Sequence, residues 1–228
     1  MHLYAATSNP GKLAEFTQAA IPYGITIEPL PNLKDLPEPE ETATTFRGNA
    51  ELKAIAYSLH APNLLVMADD SGLEVEALGN RPGVRSARFA DDMGWQESGS
   101  GLIGQESGCP GSGFSDPVVS PPISTLTKDD RNNRCLLSLL AALPNPTRAA
   151  RFVCDLAVAR NGKVLHHADG HIEGILLRAP RGEDGFGYDP LFLVPSLNQT
   201  LAEIPRNQKW DISHRGNAFR NLLQQLHP

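Results

Sequence analysis

Cysteine is scarce in this chain of 228 residues: Cys109, Cys135 and Cys154 make an odd set with no C-x-x-C spacing. That argues against a zinc cluster or a disulfide framework and leaves reduced thiols in a cytosolic protein as the reading. Basic charge is short as well, with 20 Lys and Arg against 26 Asp and Glu and a net charge of -6. Broad binding to nucleic acid or to an anionic membrane needs a basic face, so neither is expected as a partner, and a polyanionic ligand would need a local basic pocket. No run approaches the roughly 18 apolar residues of a membrane span, and Met1-His2-Leu3-Tyr4 has no basic leader or long apolar stretch behind it. A soluble, cytoplasmic protein is the expectation. Between Arg88 and Lys128 there is no Lys or Arg, and half of residues 92–127 are Gly, Ser or Pro. Such a segment buries little, and it reads as a mobile surface insertion, with a functional lid as the alternative. With 40% hydrophobic content, the chain is otherwise expected to form one two-lobed domain over residues 1–228.

The most informative feature present is Asp69-Asp70-Ser71-Gly72, which follows the apolar run Leu64 to Ala68. Paired acids at the end of a buried strand are costly to desolvate unless a metal or a reacting proton meets them. The alternative is two solvated turn acids, since Asp, Ser and Gly are ordinary turn residues. Upstream, Leu3 to Ala6 reads as a strand, Thr7-Ser8-Asn9-Pro10-Gly11-Lys12 as a loop and Leu13 to Ala20 as a helix. Hydroxyls, an amide, free backbone N–H groups and a lysine at a helix start make a cradle for phosphate, although the loop is not a Walker A motif. A second helix is expected over Thr45 to Leu59. Glu40 and Glu41, just before it, are candidates to complete an oxygen-ligand magnesium site with Asp70, or are solvated acids after a Pro-rich linker.

Farther on, Phe152 to Ala159, Val164 to Ala168 and Ile172 to Leu177 read as an antiparallel meander, with turns at Asn161-Gly162 and Asp169-Gly170. Gly185-Phe186-Gly187-Tyr188-Asp189-Pro190 sets two rings and an acid in a glycine-hinged loop. Flat rings beside an acceptor suit a nucleobase, while ordinary core anchoring is the alternative for Phe186 and Tyr188. Lys209, His214 and Arg215 bring positive charge to the start of a last helix from Ser213 onward, with Ala218, Phe219, Leu222, Leu223 and Leu226 as its apolar face. His214 beside Arg215 reads as a hydrogen-bond donor to a ligand.

In this order, five blocks resemble the noncanonical purine NTP pyrophosphatase family, the inosine and xanthosine triphosphate pyrophosphohydrolases. They are Ala6 to Lys12; Thr45-Phe46 with Asn49-Ala50 and Lys53-Ala54; Asp69 to Ala90; Gly185 to Phe192; and Ile212 to Gly216. The resemblance implies an α/β fold in which a long mixed sheet and flanking helices form two lobes around the active cleft. It implies magnesium-dependent hydrolysis of ITP, dITP or XTP to the monophosphate and pyrophosphate, which cleanses the nucleotide pool, and a homodimer. Asp70 would be the proton acceptor and a magnesium ligand, Glu41 the second ligand and Asp69 a structural partner. Thr7 to Lys12 would hold the triphosphate, and Ser71 would touch the substrate. Phe186, Gly187, Tyr188, Asp189, Lys209, His214 and Arg215 would line the base and sugar-phosphate site, with Lys53 as a further phosphate contact. A pyrophosphatase for other modified nucleotides and a nucleotide-binding module without turnover are the rivals. Departures from the family pattern are Gly48 in place of an acid, Ala43 in place of glycine, and Asn80 and Arg85 where Gly and Tyr are common.

Overall fold

A computed structural model describes residues 1–96 and 126–226. Most of the Gly/Ser/Pro-rich stretch expected to be a mobile insertion, including Cys109, lies outside the described residues. The chain begins with strand β1 (His2–Ala5), helix α1 (Pro10–Ala20) and strand β2 (Thr26–Pro29). Helix α2 (Phe46–His60) is followed by β3 (Val66–Val75), β4 (Arg81–Pro82), α3 (Phe89–Asp92) and α4 (Lys128–Ala141). Then come β5 (Ala149–Arg160), β6 (Lys163–Leu176), β7 (Phe192–Val194), β8 (Gln199–Thr200), α5 (Arg206–Ile212) and α6 (His214–Leu226).

These bounds follow local chemistry. Asn9 caps α1 ahead of Pro10, whose missing N–H is harmless in a first turn, so this helix starts three residues before the expected Leu13. Thr45 caps α2 by accepting the Gly48 N–H, and Thr127 and Asp130 form a reciprocal capping box on α4. The strands join in one mixed sheet of order β2-β1-β3-β5-β6-β7-β8, with β4 paired to β3. β1, β2 and β3 run parallel, and the other pairings are antiparallel. Helices flank this sheet: α1 and α6 pack on one face around Phe16, Leu156 and Phe219, and α2 packs on the other around Ala50, Ala54 and Ala157. A third apolar cluster, built on Leu73, Leu136, Phe192 and Leu201, fills the end formed by α4 and the last strands.

Two expectations are corrected. The strand carrying Asp69 and Asp70 does not end there; it runs on to Val75, because β5 pairs with it continuously from Val66↔Ala159 to Val75↔Ala150. Likewise, Asp169-Gly170 is not a turn. β6 is one strand of 14 residues, and of the two expected turns only Asn161-Gly162 makes a hairpin. Gly170 serves close packing instead: a Cβ there would lie 2.2 Å from the Ala218 N and 2.5 Å from the His214 O of α6.

Candidate active site

A notch in the sheet edge positions the acids. β1 pairs with β3 only at Val66 and Met67, and β4 meets β3 only from Glu74. Between those contacts the β1-facing edge of β3 borders a cavity of about 1280 Å³ lined by Asp69, Asp70 and Ser71. Successive strand residues point to opposite faces, and at such a notch both faces reach the same space.

Asp70 faces α2. Its Oδ2 accepts from Asn49 Nδ2 at 3.0 Å, and Lys53 Nζ lies 3.5 Å from its Oδ1. The same ammonium donates to Glu41 Oε1 at 2.8 Å, and Arg88 Nη2 donates to Glu41 Oε2 at 3.2 Å. Burial pushes the Asp70 carboxyl up to about 6; Lys53 and Asn49 oppose this, and Glu41 and Asp69 add to it. Burial alone would lower the Lys53 ammonium, but Asp70, Asp69 and Glu41 hold it above its ordinary range. Asp69 points to the α1 side, where Lys12 Nζ donates to its Oδ2 at 2.7 Å. Burial favours protonation of Asp69, yet Lys12, Lys53 and Arg215 hold it below the usual carboxylate range. One acid is thus kept ionised while its neighbour titrates near neutrality, a separation that suits a structural anion beside a general base.

The donor set fits magnesium. Glu41 and Asp70 already share one cation, the Lys53 ammonium, and magnesium takes one or two carboxylates plus waters and phosphate oxygens. Among the described residues no group of three or more His, Cys, Asp or Glu could hold a metal, which disfavours an all-protein cage. Glu40 is exposed, and it is Glu41 that lines the cavity.

At the α1 end, where a phosphate cradle was expected, Thr7, Ser8, Asn9, Pro10 and Lys12 line the cavity, and Gly11 does not. The cradle expected to offer free backbone N–H groups is corrected at two positions. Asn9 Oδ1 accepts from the Gly11 and Lys12 N–H groups at 2.9 and 3.1 Å, as an N-cap side chain satisfies the first N–H groups of its helix. Lys53, read as a phosphate contact, is engaged by Glu41 and Asp70.

At the other end, the Phe186 ring lies 4.9 Å from the Arg215 guanidinium carbon and 5.6 Å from Lys209 Nζ. Arg215 donates to Ser71 Oγ at 3.2 Å, lies 3.7 Å from Glu15 and keeps its Nε without a partner. His214 stacks on Phe152 at 4.9 Å, and neither of its buried ring nitrogens has a partner. Burial, with Arg215, Lys209 and Lys12 nearby, holds its pKa well below the ordinary range, so the ring is neutral and offers one donor and one acceptor. Gly187, Tyr188 and Asp189 also line the cavity. Tyr188 doubles as a core anchor, being buried with its hydroxyl donating to the Ser86 carbonyl at 2.9 Å. Asp189 accepts from Lys209 at 2.5 Å and from the Phe186 N–H at 3.0 Å. Lys209 is buried beneath the loop and is not part of the cavity wall.

Sequence reading missed Asn49 and Arg88. A polar residue between Phe46 and Ala50 on the buried face of α2 is the signal for Asn49. Arg88 lies inside a matched block but nothing local links it to Glu41, 47 residues away.

The model of the Ham1 family matches residues 3–110 and 112–225. The dITP/XTP pyrophosphatase of Acidobacterium capsulatum is 46% identical over 98% of this chain and 97% of its own length. The dITP/XTP pyrophosphatase of Bacillus subtilis is 38% identical over 97% and 94%. Among solved structures, a HAM1 protein from Coxiella burnetii superposes with a TM-score of 0.75 at 32% identity, covering 99% of this chain and 98% of that one.

Proposed function

The chain belongs to the Ham1 family, and from that premise we propose that it hydrolyses noncanonical purine nucleoside triphosphates, dITP, ITP and XTP, to the monophosphate and pyrophosphate. The observation that carries this reading is the split pair at the notch: Asp69 locked to Lys12, and Asp70 buried, raised and open to the cavity. Water attacks the α-phosphorus, Asp70 takes its proton, and the bond to the bridging oxygen breaks so that pyrophosphate departs with the electron pair. Lys12, Thr7, Ser8 and Asn9 hold the triphosphate and spread its charge. Magnesium held by Glu41 and Asp70 would neutralise charge on the phosphate oxygens. Phe186 stacks on the base, with Arg215 behind the ring. His214, neutral, and Arg215 offer donors to a 6-oxo purine; adenine, which carries an amino group there, leaves such donors unpaired and is rejected.

In this reading the protein acts as a homodimer in the cytoplasm and removes deaminated purines from the nucleotide pool. Among the described residues no helix is long and apolar enough to cross a membrane. Pyrophosphate release from ITP, dITP and XTP, with and without magnesium and against ATP and GTP, tests the activity. Magnesium-dependent release from the first three, with none from ATP, is expected. Release confined to modified pyrimidine nucleotides, or tight nucleotide binding with no release, would replace this reading by one of its rivals. Sedimentation at twice the 24.6 kDa chain mass tests the dimer.

A further inference from the structure

We infer that Asp129 and Asn133, on the first turns of α4, are positioning residues that fix the base-stacking loop through the backbone of Gly187. This rests on the purine reading of the Phe186 shelf. The Gly187 N–H donates to Asp129 Oδ2 at 2.7 Å, and Asn133 Nδ2 donates to the Gly187 carbonyl at 2.9 Å. Both hydrogen-bonding groups of this one residue are therefore taken by side chains one helical turn apart on a single helix. Gly187 has a φ of +63°, a left-handed conformation that glycine adopts without a Cβ penalty, and its loop is held there by side chains from outside it.

The grip is directional. From below, Asp189 takes the Phe186 N–H and is itself held by Lys209; from α4, Asp129 and Asn133 take Gly187. Between those holds stands the Phe186 ring, 4.9 Å from the Arg215 guanidinium. Asn133 makes this contact at a loss, since its Oδ1 is buried with no partner, so a wider polar network does not explain its presence. Its neighbour Asn132 ties the same helix to the other half of the cavity, accepting from the Ala90 N–H at 2.9 Å and donating to the Ala87 carbonyl at 3.2 Å. Those residues flank Arg88, which holds Glu41. α4 thus sets the base shelf against the acidic end of the cleft, and loss of its hold on Gly187 loosens base recognition while leaving the phosphate end intact.

Three variants of the whole chain test this: Asp129→Ala, Asn133→Ala and Asp129→Asn, the last keeping an acceptor oxygen for the Gly187 N–H. For the two alanine variants we expect KM for ITP to rise about tenfold, the effect of one lost orienting hydrogen bond, with kcat within about twofold. Their preference for ITP over ATP should shrink, while inhibition by inorganic triphosphate stays unchanged. Asp129→Asn should restore KM, and amide exchange at residues 186–188 should quicken only in the alanine variants. Unchanged exchange at 186–188, unchanged KM and base preference, or equal weakening toward inorganic triphosphate would each overturn the inference. Exchange needs no turnover, so a wild-type protein inactive on ITP would refute the proposed function while the clamp is still decided.

Discussion

At Asp70 a single carboxylate carries both the proposed chemistry and a stability burden. Its folded-state pKa is raised to about 6, above the ordinary value near 4. Between those values the folded protein holds a proton that the unfolded chain releases. The stability from this group is full below about pH 4 and is lost as pH rises through about 6. In EDTA at pH 7, Asp70→Asn should therefore be more stable than the wild type by on the order of 2 kcal/mol, with the gain fading toward pH 4; thermal melts across that range read it. The same variant should lose about 10³-fold or more in kcat and still bind nucleotide. Near wild-type turnover would remove Asp70 as the base. Two departures from the family pattern, Gly48 and Ala43, meet in the fold. A Cβ on Gly48 would lie 2.6 Å from the Ala43 Cβ, so the methyl at 43 fills the space that a side chain at 48 would need. Gly48→Ala alone should cost about 1–2 kcal/mol from that crowding, although alanine is the better helix former. In an Ala43→Gly background it should be neutral or stabilising, so a denaturant double-mutant cycle should return a coupling of about 1 kcal/mol or more. Sequence displayed both departures, but only the fold made them one pair.

Among the elements, α6 shows how an apolar pattern and a site depend on each other. Ala218, Phe219, Leu222 and Leu223 are buried against β5 and β6, which the 3.6-residue spacing foretold. The close seat of the helix comes from Gly170 beneath it, a residue that local sequence presented as a turn. Gly170→Ala would force the helix away and move His214 and Arg215 with it. About 3 kcal/mol or more of destabilisation is expected, a fall in Tm on the order of 10 °C, together with loss of activity. A retained Tm would mean that the helix does not depend on this glycine for its approach. The starts of α2 and α6 were legible because a helix start is set by a few consecutive residues, whereas the Asn9 cap of α1 was not read. Strand continuity through Asp69-Asp70 and through Asp169-Gly170 was not, because a strand interior is set by a partner far away in the chain.

For the whole molecule, the net charge of -6 makes the local arrangement of cations decisive. Lys12, Lys53, Arg88 and Arg215 converge on one notch, each already facing a carboxylate or a hydroxyl. A site with its charges pre-paired admits a polyanion best when a further cation comes with it. Magnesium should accordingly raise the Tm of the free protein at pH 7, and Glu41→Gln should diminish that rise, as binding linkage requires. An equal magnesium shift in the variant would remove Glu41 from the ligand set.

By itself the sequence determined the starts of α2 and α6, the β5–β6 hairpin, the apolar face of α6 and the order of five short blocks whose chemistry points to a nucleotide. Each of these depends on neighbours a few residues apart, where propensity, capping and periodicity act. Tertiary structure alone decided that Asp69 meets Lys12 while Asp70 meets Asn49 and Lys53, and that α4 grips Gly187. Those outcomes depend on where β1 stops alongside β3 and on groups 17 to 58 residues apart, and burial, which separates two adjacent aspartates into different acids, exists only once the sheet and its helices have closed around them.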